Sequence, residues 1–140
     1  MAKFVITDAS VVLTVSATPY TLSDHLESVT IDTKKDTPET TAMGASWRER
    51  ISGLKDYSIT LNMHQDFAAS SVDAAIYAAF NAASATIVIK PTSAAVSATN
   101  PSFTGTVICP TYTPISGNVG DVSKMSVTLQ GSGAIVRATA

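Results

Sequence analysis

His25, His64 and Cys109 are the side chains of this 140-residue sequence best suited to metal ligation, proton transfer or nucleophilic attack, and each stands alone. A zinc site needs three or four Cys, His or carboxylate ligands, and neither histidine has a second candidate ligand at metal-site spacing. His64 falls on the polar side of an alternating run, where a surface histidine is expected. Cys109 ends the apolar run Val107-Ile108-Cys109 and reads as a small buried hydrophobe. As the only cysteine, it excludes an intrachain disulfide. No serine sits in a G-x-S-x-G elbow. Gly131-Ser132-Gly133 opens no helix, so a phosphate cradle would lack its helix N-terminus. Gly117 to Asp121 lacks the alternating oxygen ligands of a calcium loop. Asp56, Asp66, Asp73 and Asp121 could in principle be paired for acid–base work, but their contexts favour turns and caps. Arg48 and Arg50 share one side of a run with Lys55 nearby, without the interleaved aromatics of a nucleic-acid surface. No catalytic residue, metal ligand or cofactor-binding residue is assigned, and the chain reads as a non-enzyme.

The elements that would position any site are mostly strands. Residues 41–66 hold the clearest pattern. Tyr57, Ile59, Leu61 and Met63 alternate with Ser58, Thr60, Asn62 and His64, the period of a strand with one buried face. Trp47 and Ile51 alternate less cleanly with Arg48, Arg50 and Ser52, and 53–56 is a turn-prone linker. The expectation is a β-hairpin that carries the only tryptophan, with the core formed around Trp47. Further strands are expected at 11–15, 28–32 (Val29 and Ile31 inward), 86–90, 102–109, 124–130 and 134–137. Gly131-Ser132-Gly133 is read as the turn between the last two, and 17–27 as a turn or single helical turn. Phe4-Val5-Ile6 is either a short strand or a docking arm. Residues 33–43, polar with Pro38 inside, form a loop of a length that is usually functional or disordered. One helix is expected at 71–83, with Ser70 and Asp73 as an acidic capping box. Its apolar stripe is Val72, Ile76, Ala79, Phe80 and Ala83, anchored by Phe80. The expected core anchors are thus Trp47, Tyr57, Ile59, Leu61, Phe80, Val127 and Leu129. Seven or eight short strands and one helix predict a mainly β, antiparallel sandwich or barrel.

Composition narrows the function classes. The chain has an ordinary single-domain length, read as one domain over 1–140. Hydrophobic residues make up 45% but aromatics only 6%, so the core is built from small side chains. A net charge of −2 gives no electrostatic footprint for gripping nucleic acid. Charge crowds between Asp24 and Asp56, whereas from Ala74 through Gly120 the only charged side chain is Lys90. Interface centres are depleted of charge, so this half is read either as a Ser/Thr/Ala-rich surface or as one covered by neighbouring subunits. MAKFVITDAS lacks a signal peptide's apolar segment, and no run is long enough to span a bilayer. The expected compartment is a reducing cytoplasm.

Gly44-x-x-Trp47-Arg48-Glu49, then Gly53-Leu54-Lys55-Asp56-Tyr57-Ser58-Ile59-Thr60-Leu61, carry a family resemblance. They follow an acidic, threonine-rich loop and precede one helix and a Gly-rich C-terminal stretch ending Gly133-Ala134-Ile135-Val136-Arg137. In this order the chain resembles the tail tube proteins of long-tailed (siphovirus-type) bacteriophages. The resemblance implies the barrel-like tail tube fold and hexameric rings stacked into a tube for DNA ejection. It implies a virion tail location after synthesis in the bacterial host cytoplasm. Implied partners are other copies of the chain, the tape measure, tail terminator and tail-tip proteins, and passing DNA without specific binding; no cofactor and no membrane are implied. Residues 33–43 would protrude as the inter-ring loop, with Lys34, Lys35, Asp36, Pro38, Glu39, Arg48 and Arg50 as interface residues. Two polar faces are candidates for the lumen: Ser126, Thr128 and Gln130, or Ser58, Thr60 and Asn62. The tube of a contractile injection system resembles the same fold. A monomeric β-sandwich binding module, such as a capsid decoration or adhesion domain, is the alternative.

Overall fold

The computed structural model describes residues 3–140; Met1 and Ala2 lie outside the described residues. Seven strands form one antiparallel sheet: β1 (Ser10–Val15), β2 (Thr18–Thr21), β3 (Leu26–Lys35), β4 (Lys55–His64), β5 (Ala85–Lys90), β6 (Ser102–Ile108) and β7 (Lys124–Ala138). Their spatial order is β2-β1-β5-β6-β7-β4-β3. A 3-10 turn (Ser23–His25) precedes β3, and the helix α1 (Val72–Asn81) follows β4.

The long strand β7 joins two wings. Its first half pairs with β4 from His64↔Lys124 to Ser58↔Gln130. Its second half pairs with β6 from Ile108↔Gln130 to Ser102↔Ala138. The expected turn at Gly131-Ser132-Gly133 is therefore a corner within one strand. Gly131 is needed there because a Cβ would lie 2.6 Å from the Tyr57 ring, and Gly133 takes a φ of +87° that other residues avoid. A second difference lies at 17–27. Ser16 and Ala17, both at positive φ, make a two-residue hairpin turn that leads into β2. Pro19 masks this strand in the sequence, yet a proline is tolerated because β2 is an edge.

The inward faces meet in one cluster, so the two wings lie across a shared core. Ile59 stands opposite Leu129, Leu61 opposite Val127, and Met63 opposite Met125. Val29 and Ile31 of β3 extend these rows, only partly buried because β3 is the outer strand. Val11, Leu13, Ile87 and Val107 supply the other wing, and α1 adds Val72, Ala75, Ile76 and Ala79. Tyr57 is buried with them; its ring fills the space over Gly105 and Gly131, and its hydroxyl donates to the Thr106 carbonyl. Burial pushes the Tyr57 phenol above its ordinary value.

Trp47 and Phe80 are not core anchors. Trp47 is 85% exposed and Phe80 44%. Phe80 sits on the outer side of α1 and packs edge-on to Tyr112, which does the same with Tyr77. Tyr112 in turn donates to Asp73, and that carboxylate pushes the Tyr112 phenol up to about 12. The helix stripe is centred on Val72, Ala75, Ile76 and Ala79, the buried residues of α1.

Trp47 is exposed because the hairpin expected within 41–66 does not form. The hairpin is β3–β4, whose ladder ends at Lys35↔Lys55. Beyond it, residues 36–54 form a two-limbed arm. Asp36 N–H donates to the Leu54 carbonyl (2.8 Å), Ile51 to Pro38 (3.0 Å) and Thr40 to Glu49 (2.8 Å). Such a ribbon has no third strand and no opposing layer, so neither side of it is buried. The loop expected at 33–43 is thus corrected: 33–35 belong to β3, and 36–43 form one limb of the arm.

Candidate assembly surfaces

Three surfaces stand out once the core is accounted for. The first is the outward face of β3–β4–β7. Thr30, Thr60 and Thr128 form one row across the three strands, Ser28, Asn62 and Ser126 a second, and Asp32, Ser58 and Gln130 a third. The two runs read separately as polar faces are therefore one surface. Neighbours on it are joined, with Asn62 Nδ2 donating to Ser28 Oγ at 2.7 Å and the Thr60 and Thr128 hydroxyls 3.4 Å apart. Asp32 is its one charged residue in those rows, 3.5 Å from Lys34 Nζ. A polar face without an array of Lys and Arg has no grip on phosphate.

The second surface is the arm. Of the residues named from the sequence as interface residues, Lys34 and Lys35 lie at the end of β3, and Asp36, Pro38 and Glu39 lie on one limb of the arm. Arg48 and Arg50 lie on its other limb. The limbs bring Glu39 opposite Arg50 and put Arg48 Nε 3.9 Å from Glu39 Oε1. All seven are exposed. Exposed ion pairs of this kind contribute little to stability. Met43, Trp47, Ile51 and Leu54 are also exposed on the arm. The third surface is the outer edge of β3, where ten residues end the sheet with unpaired backbone groups.

One constellation has the look of chemistry and was not legible in the sequence. His25 Nε2 lies 2.9 Å from Asp66 Oδ2, and Ser71 Oγ lies 2.8 Å from the same oxygen. A Ser-His-Asp relay needs the hydroxyl on the imidazole. Here serine and histidine both bind the aspartate, so no nucleophile is activated. The arrangement instead holds the start of α1 to the 3-10 turn. Asp66 Oδ1 accepts from Ala68 N–H (2.9 Å) and the Asp66 carbonyl from Asp73 N–H (3.1 Å). The expected Ser70–Asp73 capping box is thus replaced. Ser70 is in the left-handed region and Ser71 is the N-cap, with its hydroxyl turned to Asp66. The Ala68 N–H, then Ser71 and His25, hold the Asp66 carboxyl below its ordinary value of 3.8. Its stabilisation is complete above that value and is lost as pH falls through the lower folded one. Asp66→Asn should therefore lower the urea midpoint at neutral pH, and the gap to the parent chain should close in strong acid. A gap that persists unchanged at low pH would remove the charge from this account.

Cys109 is buried, and burial pushes its thiol up, which makes it unreactive. His64 is exposed at the end of β4. Among the described residues no group of three His, Cys, Asp or Glu side chains could hold a metal ion, and no helix is long and apolar enough to cross a membrane.

No protein-family model and no curated protein sequence matches the chain. Solved structures do. The SPP1 tail tube aligns with a TM-score of 0.75 at 14% identity, over 95% of this chain and 77% of that one. A chain from the tail of an empty gene transfer agent particle, refined with helical and C6 symmetry, aligns at 0.73 and 17% identity, over 95% and 96%. A chain of the sheath–tube complex of an extracellular contractile injection system aligns at 0.67 and 14% identity, over 99% and 94%. With its seven antiparallel strands and single helix, the chain has the fold of a phage-type tail tube protein.

Proposed function

We propose that the chain, acting over 1–140 as one subunit, assembles with copies of itself into stacked hexameric rings that form a tail tube through which DNA passes. The observation that carries this reading is the β3–β4–β7 wing, apolar on one face and polar with a single carboxylate on the other across three matched rows. Six such wings joined edge to edge would cover the open edge of β3 and give a closed barrel. Its lumen would be lined by the rows through Thr60, Asn62 and Ser58. DNA would slide along such a wall, because nothing there replaces its counterions. The fold shared with the SPP1 tail tube and the C6-symmetric gene transfer agent tail supports the same assembly.

The arm at 36–54 is the inter-ring element in this reading. Lys34, Lys35, Asp36, Pro38, Glu39, Arg48 and Arg50 are its contact residues, and repetition of the contact along an axis builds an open filament. The complete tube would sit in a virion tail made in a bacterial host, with tape measure, terminator and tail-tip proteins inside it and at its ends. The same fold occurs in the SPP1 tail tube and in a chain of the sheath–tube complex of a contractile injection system. Negative-stain electron microscopy of the concentrated protein at neutral pH should show hollow tubes of uniform width with six-fold end views. Monomers that stay dispersed at every concentration, with or without tube seeds, would sink the reading and favour a monomeric binding module.

A further inference from the structure

Residues 3–9 precede β1 and belong to no strand, although Phe4 and Ile6 alternate with Val5 and Thr7 at strand period. They run beside β3, the outer strand of the sheet. Residues 6–9 line one cleft with residues 26–29. Phe4 and Ile6 line a second, a groove of about 420 Å³, with Val29, Ile31, Phe103 and Ile135. From Ala9 back to Phe4, the neighbours on β3 advance from Leu26 to Ile31, the course of an antiparallel partner. Yet among the described residues no backbone hydrogen bond joins the segment to β3.

The segment is fixed at its base and only half seated at its tip. Ala9 is buried, and Asp8 Oδ2 accepts a hydrogen bond from Ser93 Oγ at 2.7 Å, just beyond the end of β5. Phe4 and Ile6 are 56% and 61% exposed, and the groove beneath them stays open. Two apolar side chains thus stand over an apolar groove, next to a strand edge whose backbone groups lack partners. A hinge at Asp8 and Ala9 is enough to bring them together.

We infer that residues 3–8 are a strap that closes on β3 as an added antiparallel strand in the free subunit and, resting on the tube reading above, that ring closure must displace it. Residues directly opposite in an antiparallel pair share one side of the sheet. Ile6 opposite Val29 and Phe4 opposite Ile31 put all four side chains inward, filling the groove. Thr7 then stands opposite Ser28 and lengthens the polar row of Ser28, Asn62 and Ser126. A slip of one residue would turn Phe4 and Ile6 to the polar side, so the pattern selects the register. β3 has a single open edge, and the ring uses the same one. A tethered strap competes for it as if present at about millimolar concentration. Closed in about nine subunits of ten, it would raise the concentration needed for tubes about tenfold.

Two variants test this. Deleting 3–8 spares the buried Ala9. In the free subunit the deletion should speed hydrogen exchange about tenfold at the β3 amides that point to the open edge, and leave those bonded to β4 unchanged. Equal exchange in the two chains would overturn the strap. The deleted chain should also form tubes at about one-tenth of the parent concentration. Ile6→Cys with Val29→Cys should form a disulfide within one chain under mild oxidation, since Cys109 is buried and stays silent. Oxidised, this chain should stay dispersed; reduced, the same chain should form tubes, which separates the lock from any effect of the substitutions. Disulfides between two copies would overturn the strap in favour of an exchanged N-terminal segment. Oxidised chains that form tubes as readily as reduced ones, or a deleted chain that needs the parent concentration, would overturn the competition and leave the tube reading standing. Absence of tubes from every chain, seeded or not, would overturn the tube reading and the competition with it, while exchange and the disulfide still decide the strap.

Discussion

Replacing Tyr57 by alanine should lower the unfolding free energy by about 3–5 kcal/mol, the range of large aromatic deletions in a core. Replacing Trp47 should change it by no more than about 0.5 kcal/mol, as for an ordinary surface site. Both are aromatic and both lie near the β3–β4 connection, so the contrast isolates burial. The Tyr57 ring is enclosed, with Gly105 and Gly131 lacking the Cβ atoms that would strike it. Nothing else in the core can collapse into that space without moving the corner of β7, because Gly131 belongs to the strand that joins the two wings. The hydroxyl adds to the loss, since its removal leaves the Thr106 carbonyl without that donor. Trp47 has no comparable surroundings on a ribbon of two limbs. Urea denaturation followed by far-ultraviolet circular dichroism would measure both. Equal midpoints for the two variants would show that the Tyr57 site is not the centre of packing described here.

Shortening the arm should separate folding from assembly completely. Asp36 and Leu54 are already paired, at 2.8 Å between nitrogen and oxygen. Joining them through Asn-Gly in place of 37–53 supplies the turn residues that a two-residue hairpin favours. The variant loses no buried side chain, because the replaced residues are exposed apart from the half-buried Thr41. It should unfold at nearly the parent midpoint, keep the parent spectrum, and form no long tubes under conditions where the parent does. Deleting 33–43 alone would be a poorer test, since it cuts the last three residues of β3 and strands the second limb of the arm. If the shortened chain still polymerised to normal length, the arm's stacking role would not survive.

How much of this was legible in the sequence depends on the range of each signal. The alternation at 57–63 and 124–130 identified which side chains face inward, and those residues do meet, Ile59 against Leu129 and Leu61 against Val127. The helix was legible within two residues at each end, because its small apolar residues recur at helical spacing. The Phe80 anchor was misleading: periodicity locates a stripe but not its centre, and Phe80 lies about 100° around the helix from the buried Ala79. The Trp47 hairpin failed for a related reason. A run that alternates is a strand with a buried face only where a second layer exists, and the arm has none. The edge strand β2 was hidden by Pro19, and the corner in β7 by glycines that also mark turns.

The sequence by itself determined the inward and outward faces of the main strands, the helix, the charge-poor half and the order of elements. These follow from residue type and short-range period, which act within a few neighbours along the chain. Tertiary structure alone decided that the two polar runs are one surface and that β7 serves both wings. It also placed His25 on Asp66, and brought Glu39 opposite Arg50 across the limbs of the arm. The first two of these facts depend on which strands become neighbours across separations of 22 to 72 residues. Such pairing is selected by the fit of whole faces in a shared core, which no local pattern specifies.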